Sequence, residues 1–297
     1  MFIGATYIGL SSCIASLYII ILKLFHSNET FSTKSCYKIM LHLGFSDIIQ
    51  LIMQIPAGIF SICQCLVYDS WLNKVLGATI NAGYLGQVTF MTVLAVNRFV
   101  VSCAPQYQER LFSPASTKKW LFVCWTWCFF FFLVYLSPWC GVRYLHTMHC
   151  WTYDNSSYSN LMQRIEVISS TVQLTFFFVL YTWIVLYFCK TQSISQQPAE
   201  NDASQLYLLA QVAVIFLFAV VPLIYWHGYE LWLTDQLWAP IVGNFLWITM
   251  NGINPLVYLA LNKTVRNNVL RLFVKSNSVR QITNVKNADN VIVVDLV

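Results

Sequence analysis

Formal charge is the first thing this chain lacks. Asp, Glu, Lys and Arg make up 10% of its 297 residues, against 58% apolar residues and a mean hydropathy of +0.60. About a quarter of the residues of a soluble domain are charged, so a soluble globular enzyme or adaptor is excluded. The chain reads as an integral membrane protein. Inside the hydrophobic runs acids are scarcer still, and Asp47 is the one carboxylate placed deep in a run.

A basic patch with interleaved aromatics is also missing. The net charge of +5 comes from Lys and Arg residues scattered between apolar runs, which excludes a nucleic-acid surface. No short basic segment precedes Phe2, so the first run is expected to stay as a retained helix and signal anchor. No internal repeat or inverted half is visible. The tail from Ser276 contains no cysteine, which excludes palmitoylation there.

What is present is seven apolar runs: Phe2 to Leu24, Ile39 to Cys63, Val75 to Asn97, Trp120 to Leu136, Val167 to Cys189, Leu206 to Trp226 and Leu237 to Leu261. Val75 to Asn97 is free of formal charge, and a helix of that length covers the roughly 30 Å hydrocarbon core of a bilayer. Only helices and closed barrels satisfy their backbone groups in lipid. The expected fold is all-α, a seven-transmembrane helix bundle with a short amphipathic eighth helix at 264–275, where Val265, Val269 and Leu272 share one face. Residues 1–275 form the bundle and 276–297 a cytoplasmic tail. The aromatic share of 16%, with 11 Trp, suits anchoring of many helix ends at the lipid interface.

Seven spans put the termini on opposite sides, and the basic residues say which is which. With the amino end outside, 14 of the 17 Lys and Arg residues fall on inner segments, and only Lys74, Arg143 and Arg164 on outer ones. Asn155-Ser156-Ser157 is then an external glycosylation acceptor, while Asn28-Glu29-Thr30 fits the same pattern on the inner side. Cys63, Cys65, Cys140 and Cys150 lie on the oxidising side. A bridge from the Cys63/Cys65 pair to Cys150 is expected, with free buried thiols as the alternative.

An ionised carboxylate at mid-bilayer costs roughly 2.5 to 3.5 kcal/mol even on lenient scales, so Asp47 should face the bundle interior. Its candidate partners are Gln87, Asn251 and Asn254. Asn251-Gly252-Ile253-Asn254-Pro255 ends the seventh run, and Pro255, Pro222 and Pro56 each remove a helix hydrogen bond and let helix halves swing. Arg98, at the inner mouth of the third run, is either a switch or a snorkelling anchor.

Leu43 to Asp47 followed by Pro56, Asn97-Arg98-Phe99 followed by Pro105 and Tyr107, Trp125, Phe216 with Pro222, and Asn254-Pro255-x-x-Tyr258 resemble, in order and spacing, the landmarks of rhodopsin-like G-protein-coupled receptors. Cys36 to Met40 leading into Leu-Gly-Phe-Ser-Asp, with Asn-Arg-Phe where Asp-Arg-Tyr is usual, is most similar to nematode serpentine chemoreceptors of the T-type or X-type branch. The resemblance implies a chemosensory receptor with no enzyme chemistry and no cofactor or metal. It would sit in the plasma membrane or a sensory cilium, bind a small-molecule or peptide ligand outside, and activate a heterotrimeric G protein inside.

Carried over by position, Asp47, Asn97, Arg98, Pro222, Asn251, Asn254, Pro255 and Tyr258 form the activation switch. Arg98 would pair with the neutral Asn97 in the resting state and then receive the G protein. The ligand pocket would open between the third, fifth, sixth and seventh spans, with Asn81, Tyr84, Glu166, His227 and Asn244 as its polar candidates. Ile80 stands where amine receptors keep an aspartate, which argues against a biogenic amine. The family landmarks have gaps here. The first span has no inner asparagine, Val220 replaces a toggle tryptophan, the fifth span has no proline, and Asn73 replaces the third-span disulfide cysteine. The bridge to Cys150 must then start from Cys65 or Cys63, and we take Cys65. Three rival readings exist, of which a channel or scaffold would need a charged ring or a large soluble module. A secondary transporter would couple through Asp47 and should show paired halves. A metal enzyme would use His146, His149 and Cys150, which lack an acid-base partner.

Overall fold

The computed structural model describes residues 1–64, 69–194, 214–226, 228, 233, 236–262 and 264–271. In chain order its helices are α1 (Phe2–Ser27), the single turn α2 (Glu29–Ser32), α3 (Ser35–Cys63), α4 (Trp71–Cys103), α5 (Gln108–Phe112), α6 (Pro114–Leu136), α7 (Ser159–Ile194), α8 (Val214–Trp226), α9 (Trp238–Leu261) and α10 (264–271). A short hairpin, β1 (Val142–Leu145) and β2 (Cys150–Tyr153), joins α6 to α7.

Seven of these helices coincide with the seven apolar runs. Five of them, α1, α3, α4, α6 and α7, are long and apolar enough to cross a membrane. The 24-residue α9 matches them in length, but Asn244, Asn251 and Asn254 lower its hydropathy. The described part of α8 is 13 residues, because 206–213 lie outside the described residues.

Most helices overrun their apolar runs, since polar caps carry the backbone into the interface. Ser70 Oγ accepts the Asn73 N–H and starts α4 ahead of Val75. Ser113 Oγ accepts the Ser116 N–H, with Pro114 in the first turn of α6 where its missing donor costs nothing. In α10, Val265 and Val269 are buried, as their expected common face requires. Residues 272–275 of the expected eighth helix, and the tail from 276, lie outside the described residues.

Close approach of α1 to α3 depends on paired glycines. A Cβ at Gly58 would come within 2.6 Å of the Gly4 carbonyl oxygen. Trp125 of α6 donates its indole N–H to His42 Nδ1 of α3 at 3.0 Å and meets Phe90 of α4 edge-on, tying three helices together.

The hairpin was not anticipated in the long loop after α6. Val142, Tyr144, Cys150 and Trp151 are all buried, so the hairpin is packed into the bundle end rather than lying over it. Asn73 is its main clamp: its Nδ2 donates to the Tyr144 carbonyl at 3.0 Å, and its Oδ1 accepts the Tyr144 N–H at 2.8 Å. The residue that replaces the usual disulfide cysteine thus holds the hairpin by a reciprocal amide pair. One turn along α4, Gly77 lets the Val142 backbone lie against the helix. Asn73→Ala would leave both Tyr144 backbone groups buried and unpaired. It is expected to cost about 1–3 kcal/mol per orphaned group, read as a lowered thermal midpoint with the Ser70 cap intact.

Candidate functional site

Asp47 is wholly buried, as a carboxylate in mid-span must be. Its Oδ2 accepts the Tyr18 hydroxyl of α1 at 2.6 Å and the Asn254 amide of α9 at 2.9 Å. Three helices therefore meet on one carboxylate oxygen. Tyr18, not an asparagine, is the first span's contribution. Asn251 differs from the expectation: its amide donates to the Trp247 carbonyl of its own helix at 3.1 Å. Gln87 accepts the Gln50 amide at 3.4 Å and its side chain also reaches the Asp47 carboxyl, as expected.

From Asp47 a polar spine climbs one face of α3, because positions three and seven residues on share that face. Gln50 accepts the Trp247 indole N–H at 2.8 Å. Gln54 and Asn244 exchange amide bonds at 3.2 and 3.1 Å, and Gln54 Oε1 also lies 3.4 Å from the Trp151 indole nitrogen, whose N–H it accepts. Ser61 completes the row, bonded to the Tyr144 hydroxyl at 2.5 Å and to His149 Nδ1 at 2.9 Å. Burial holds the His149 imidazole below its ordinary pKa, which keeps it neutral for that bond. The spine runs from the switch residues to the hairpin. Gln50, Gln54, Trp247 and Ser61 were not among the sequence candidates, though two glutamines at helical spacing from Asp47 inside an apolar run were a readable signal.

At the other end of α4 the structure corrects the expected Arg98–Asn97 pair. Asn97 is buried and donates its amide to Ser35 Oγ of α3 at 3.0 Å. Adjacent helical residues project about 100° apart, so the two side chains face different neighbours. The Arg98 guanidinium has the Met40 sulfur at 4.0 Å and, among the described residues, forms no ion pair. Tyr258 is buried against the Phe25 ring, 5.8 Å between centroids, with Pro255 in the preceding turn.

A small cavity of about 40 Å³ opens among α4, α7, α8 and α9, lined by Asn81, Tyr84, Glu166, Pro222, Leu223, Trp226, Gly243, Trp247 and Met250. Three of the five polar ligand candidates meet there. Asn244 lies in the spine instead, and His227 lies outside the described residues. Pro222, read as a hinge, is also part of the wall. Glu166 Oε2 accepts the Asn81 amide at 2.5 Å and the hydroxyls of Tyr153 at 2.5 Å and Tyr135 at 3.2 Å. Tyr135 and Tyr153 were missed because only the folded hairpin brings Tyr153 to α7. Trp247 belongs to both the cavity wall and the spine.

At the hairpin rim, Arg143 and Asp154 pair at 3.4 Å, and Asp154 Oδ1 accepts the Ser159 hydroxyl at 2.5 Å. Burial tends to raise the Asp154 pKa, but the Ser159 and Ser156 donors and Arg143 outweigh it and hold the carboxyl below its usual range. The stability this bonding contributes is present at neutral pH and is lost as pH falls through that depressed value. Asn155 is exposed beside it. Cys150 is buried in β2 and Cys63 is exposed at the end of α3. Cys65 lies outside the described residues, so the expected bridge does too.

Residues 1–282 match the family described as serpentine type 7TM GPCR chemoreceptor Srt, the T-type of the two branches. No curated protein matches the sequence. Seven apolar helices, the buried Asp47 junction and the Asn254-Pro255-x-x-Tyr258 end of α9 agree with a multi-pass membrane receptor that takes a ligand and signals to a G protein. The chain belongs to the serpentine type 7TM GPCR chemoreceptor Srt family.

Proposed function

We propose that this chemoreceptor takes a small-molecule cue in the Glu166 cavity and passes its binding through Trp247 and the α3 spine to Asp47 and Arg98. The observation that carries this reading is Trp247, whose ring lines the cavity while its indole N–H bonds Gln50 in the spine. A cue that moved this ring would disturb a hydrogen bond one turn from Asp47. Pro222 and Pro255 supply the hinges.

The hairpin end and Asn155 face outward in this proposal, and residues 276–297 form a cytoplasmic tail on the 1–275 bundle, in the plasma membrane or a sensory cilium. The 14-to-3 division of basic residues supports that orientation. The G protein would dock where Arg98, the 101–118 connection and α10 meet. Cys65 and Cys150 would be bridged outside, and Asn155 glycosylated.

The test reconstitutes the full chain with a heterotrimeric G protein and measures nucleotide exchange against a panel of water-soluble and volatile compounds. At least one compound is expected to raise exchange, with the response weakened by Trp247→Phe, which keeps the ring but removes the N–H. Exchange unmoved by every compound would overturn the proposal. In cells, a tag on Val297 is expected to stain only after permeabilisation, and a glycosidase is expected to shift the wild-type protein but not Asn155→Gln.

A further inference from the structure

The Glu166 cavity also carries an inference about the class of its ligand. Glu166 is 4% exposed. Three donors converge on its Oε2, from Asn81, Tyr153 and Tyr135. Three donated hydrogen bonds on one oxygen stabilise the ionised carboxylate against the cost of its burial.

Among the described residues no countercharge is paired with it. Among the described residues the ion pair present is Arg143 with Asp154, and the Lys74 ammonium is turned to the Ser137 carbonyl oxygen. Among the described residues no Lys, Arg or His lines the cavity. A buried charge with hydrogen bonds but no opposite charge is costly, and a cation brought beside it offsets that cost.

The rest of the wall suits such a cation. Tyr84 and Trp226 each meet Trp247 edge-on, at 6.0 and 5.8 Å between ring centroids, so ring planes of different orientation border one space. Aromatic faces attract ammonium groups, most strongly when both are out of water. Leu223, Pro222 and Met250 provide apolar contact for a hydrocarbon body. An anionic ligand would meet the carboxylate with like charge, and a neutral alcohol would leave that charge uncompensated.

We propose that the ligand is a small organic cation, a protonated or quaternary amine on a compact apolar body, seated between Glu166 and the Tyr84, Trp226 and Trp247 rings. This rests on the reading of the cavity as the receptor's ligand site. Ile80 argues against an amine only where the carboxylate has to come from α4, and here α7 supplies it.

The experiment uses the purified full chain and matched pairs of compounds that differ only in charge. Choline is compared with 3,3-dimethylbutan-1-ol and 3-methylbutan-1-amine with 3-methylbutan-1-ol, within a wider panel of primary and quaternary alkylamines and arylalkylamines. Binding is read by quenching of tryptophan fluorescence and by the thermal midpoint. At least one cation is expected to bind about tenfold or more tighter than its neutral partner, the range that a charge-assisted hydrogen bond and a cation–π contact supply together. In Glu166→Gln the ratio is expected to fall to about one. The wild-type ratio needs no variant, so it decides the matter even if the substitution prevents folding. The proposal is overturned if neutral partners bind as tightly as cations, if no cation on the panel binds, or if folded Glu166→Gln keeps the preference. Binding needs no G protein, which separates the two readings. Cations that bind without raising nucleotide exchange count against the signalling route alone. Exchange driven equally by neutral compounds counts against the cation alone.

Discussion

Asp47→Ala is expected to unfold at a markedly lower temperature than the wild type and to lose signalling with it. The substitution orphans the Tyr18 hydroxyl and the Asn254 amide, two buried donors that now share one oxygen. Each unsatisfied group costs about 1–3 kcal/mol, so the loss is about 2–6 kcal/mol before any cavity is counted. That is a large share of the stability of an ordinary domain. Removing the donors should cost less. Tyr18→Phe leaves Asp47 bonded to Asn254, and Asn254→Ala leaves it bonded to Tyr18.

A double-mutant cycle on Tyr18 and Asn254 then reports whether α1 and α9 are coupled through the carboxylate, with a positive coupling expected because both bonds end on the same atom. Thermal unfolding of the purified variants in one detergent is the measurement. An Asp47→Ala protein as stable as the wild type would show that the junction is incidental, and signalling by that protein would remove Asp47 from the switch.

Much of this architecture is legible in the sequence because membrane helices announce themselves by composition over long stretches. The seven runs and the burial of Asp47 follow from the cost of exposing backbone or charge to lipid. Partner choice follows less well. Asn251 and Asn254 are equally polar and, three residues apart, lie on one side of α9, yet Asn254 bonds Asp47 while Asn251 bonds back to the Trp247 carbonyl. Tyr18 was passed over because a tyrosine in an apolar run reads as an aromatic among others until its hydroxyl is seen to have a buried acceptor. The Glu166 cluster depends on long-range chain pairing. Tyr153 reaches α7 through the β1–β2 register, which a four-residue strand among aromatic residues does not reveal by periodicity. Asn73 was recognised as standing in place of a cysteine, but its role as a clamp needed the Tyr144 backbone in view.

Arg98→Ala is expected to reach the surface in normal amount and to lose nucleotide exchange at saturating cue by more than about tenfold. Its guanidinium has five donors, and among the described residues it contacts the Met40 thioether sulfur at 4.0 Å. Truncating it therefore orphans no buried acceptor, and stability should change little. Among the described residues no carboxylate pairs with this half-buried arginine, so it does not act as an ion-paired brace. It is better explained by an acceptor that arrives from outside the chain, which in a G-protein-coupled receptor is the transducer. The neighbour that would ordinarily restrain it is turned away, since Asn97 spends its amide on Ser35. A resting state without that restraint, worth about 1 kcal/mol, is expected to hold a several-fold larger active minority and to show basal exchange without ligand. Asn97→Asp adds a negative charge one residue from Arg98 and should lower that basal exchange by Coulombic attraction, while Ser35→Ala should leave it near the wild-type level because Ser35 bonds Asn97 and not Arg98. If Arg98→Ala signals fully, the residue is an interface anchor and the transducer docks elsewhere.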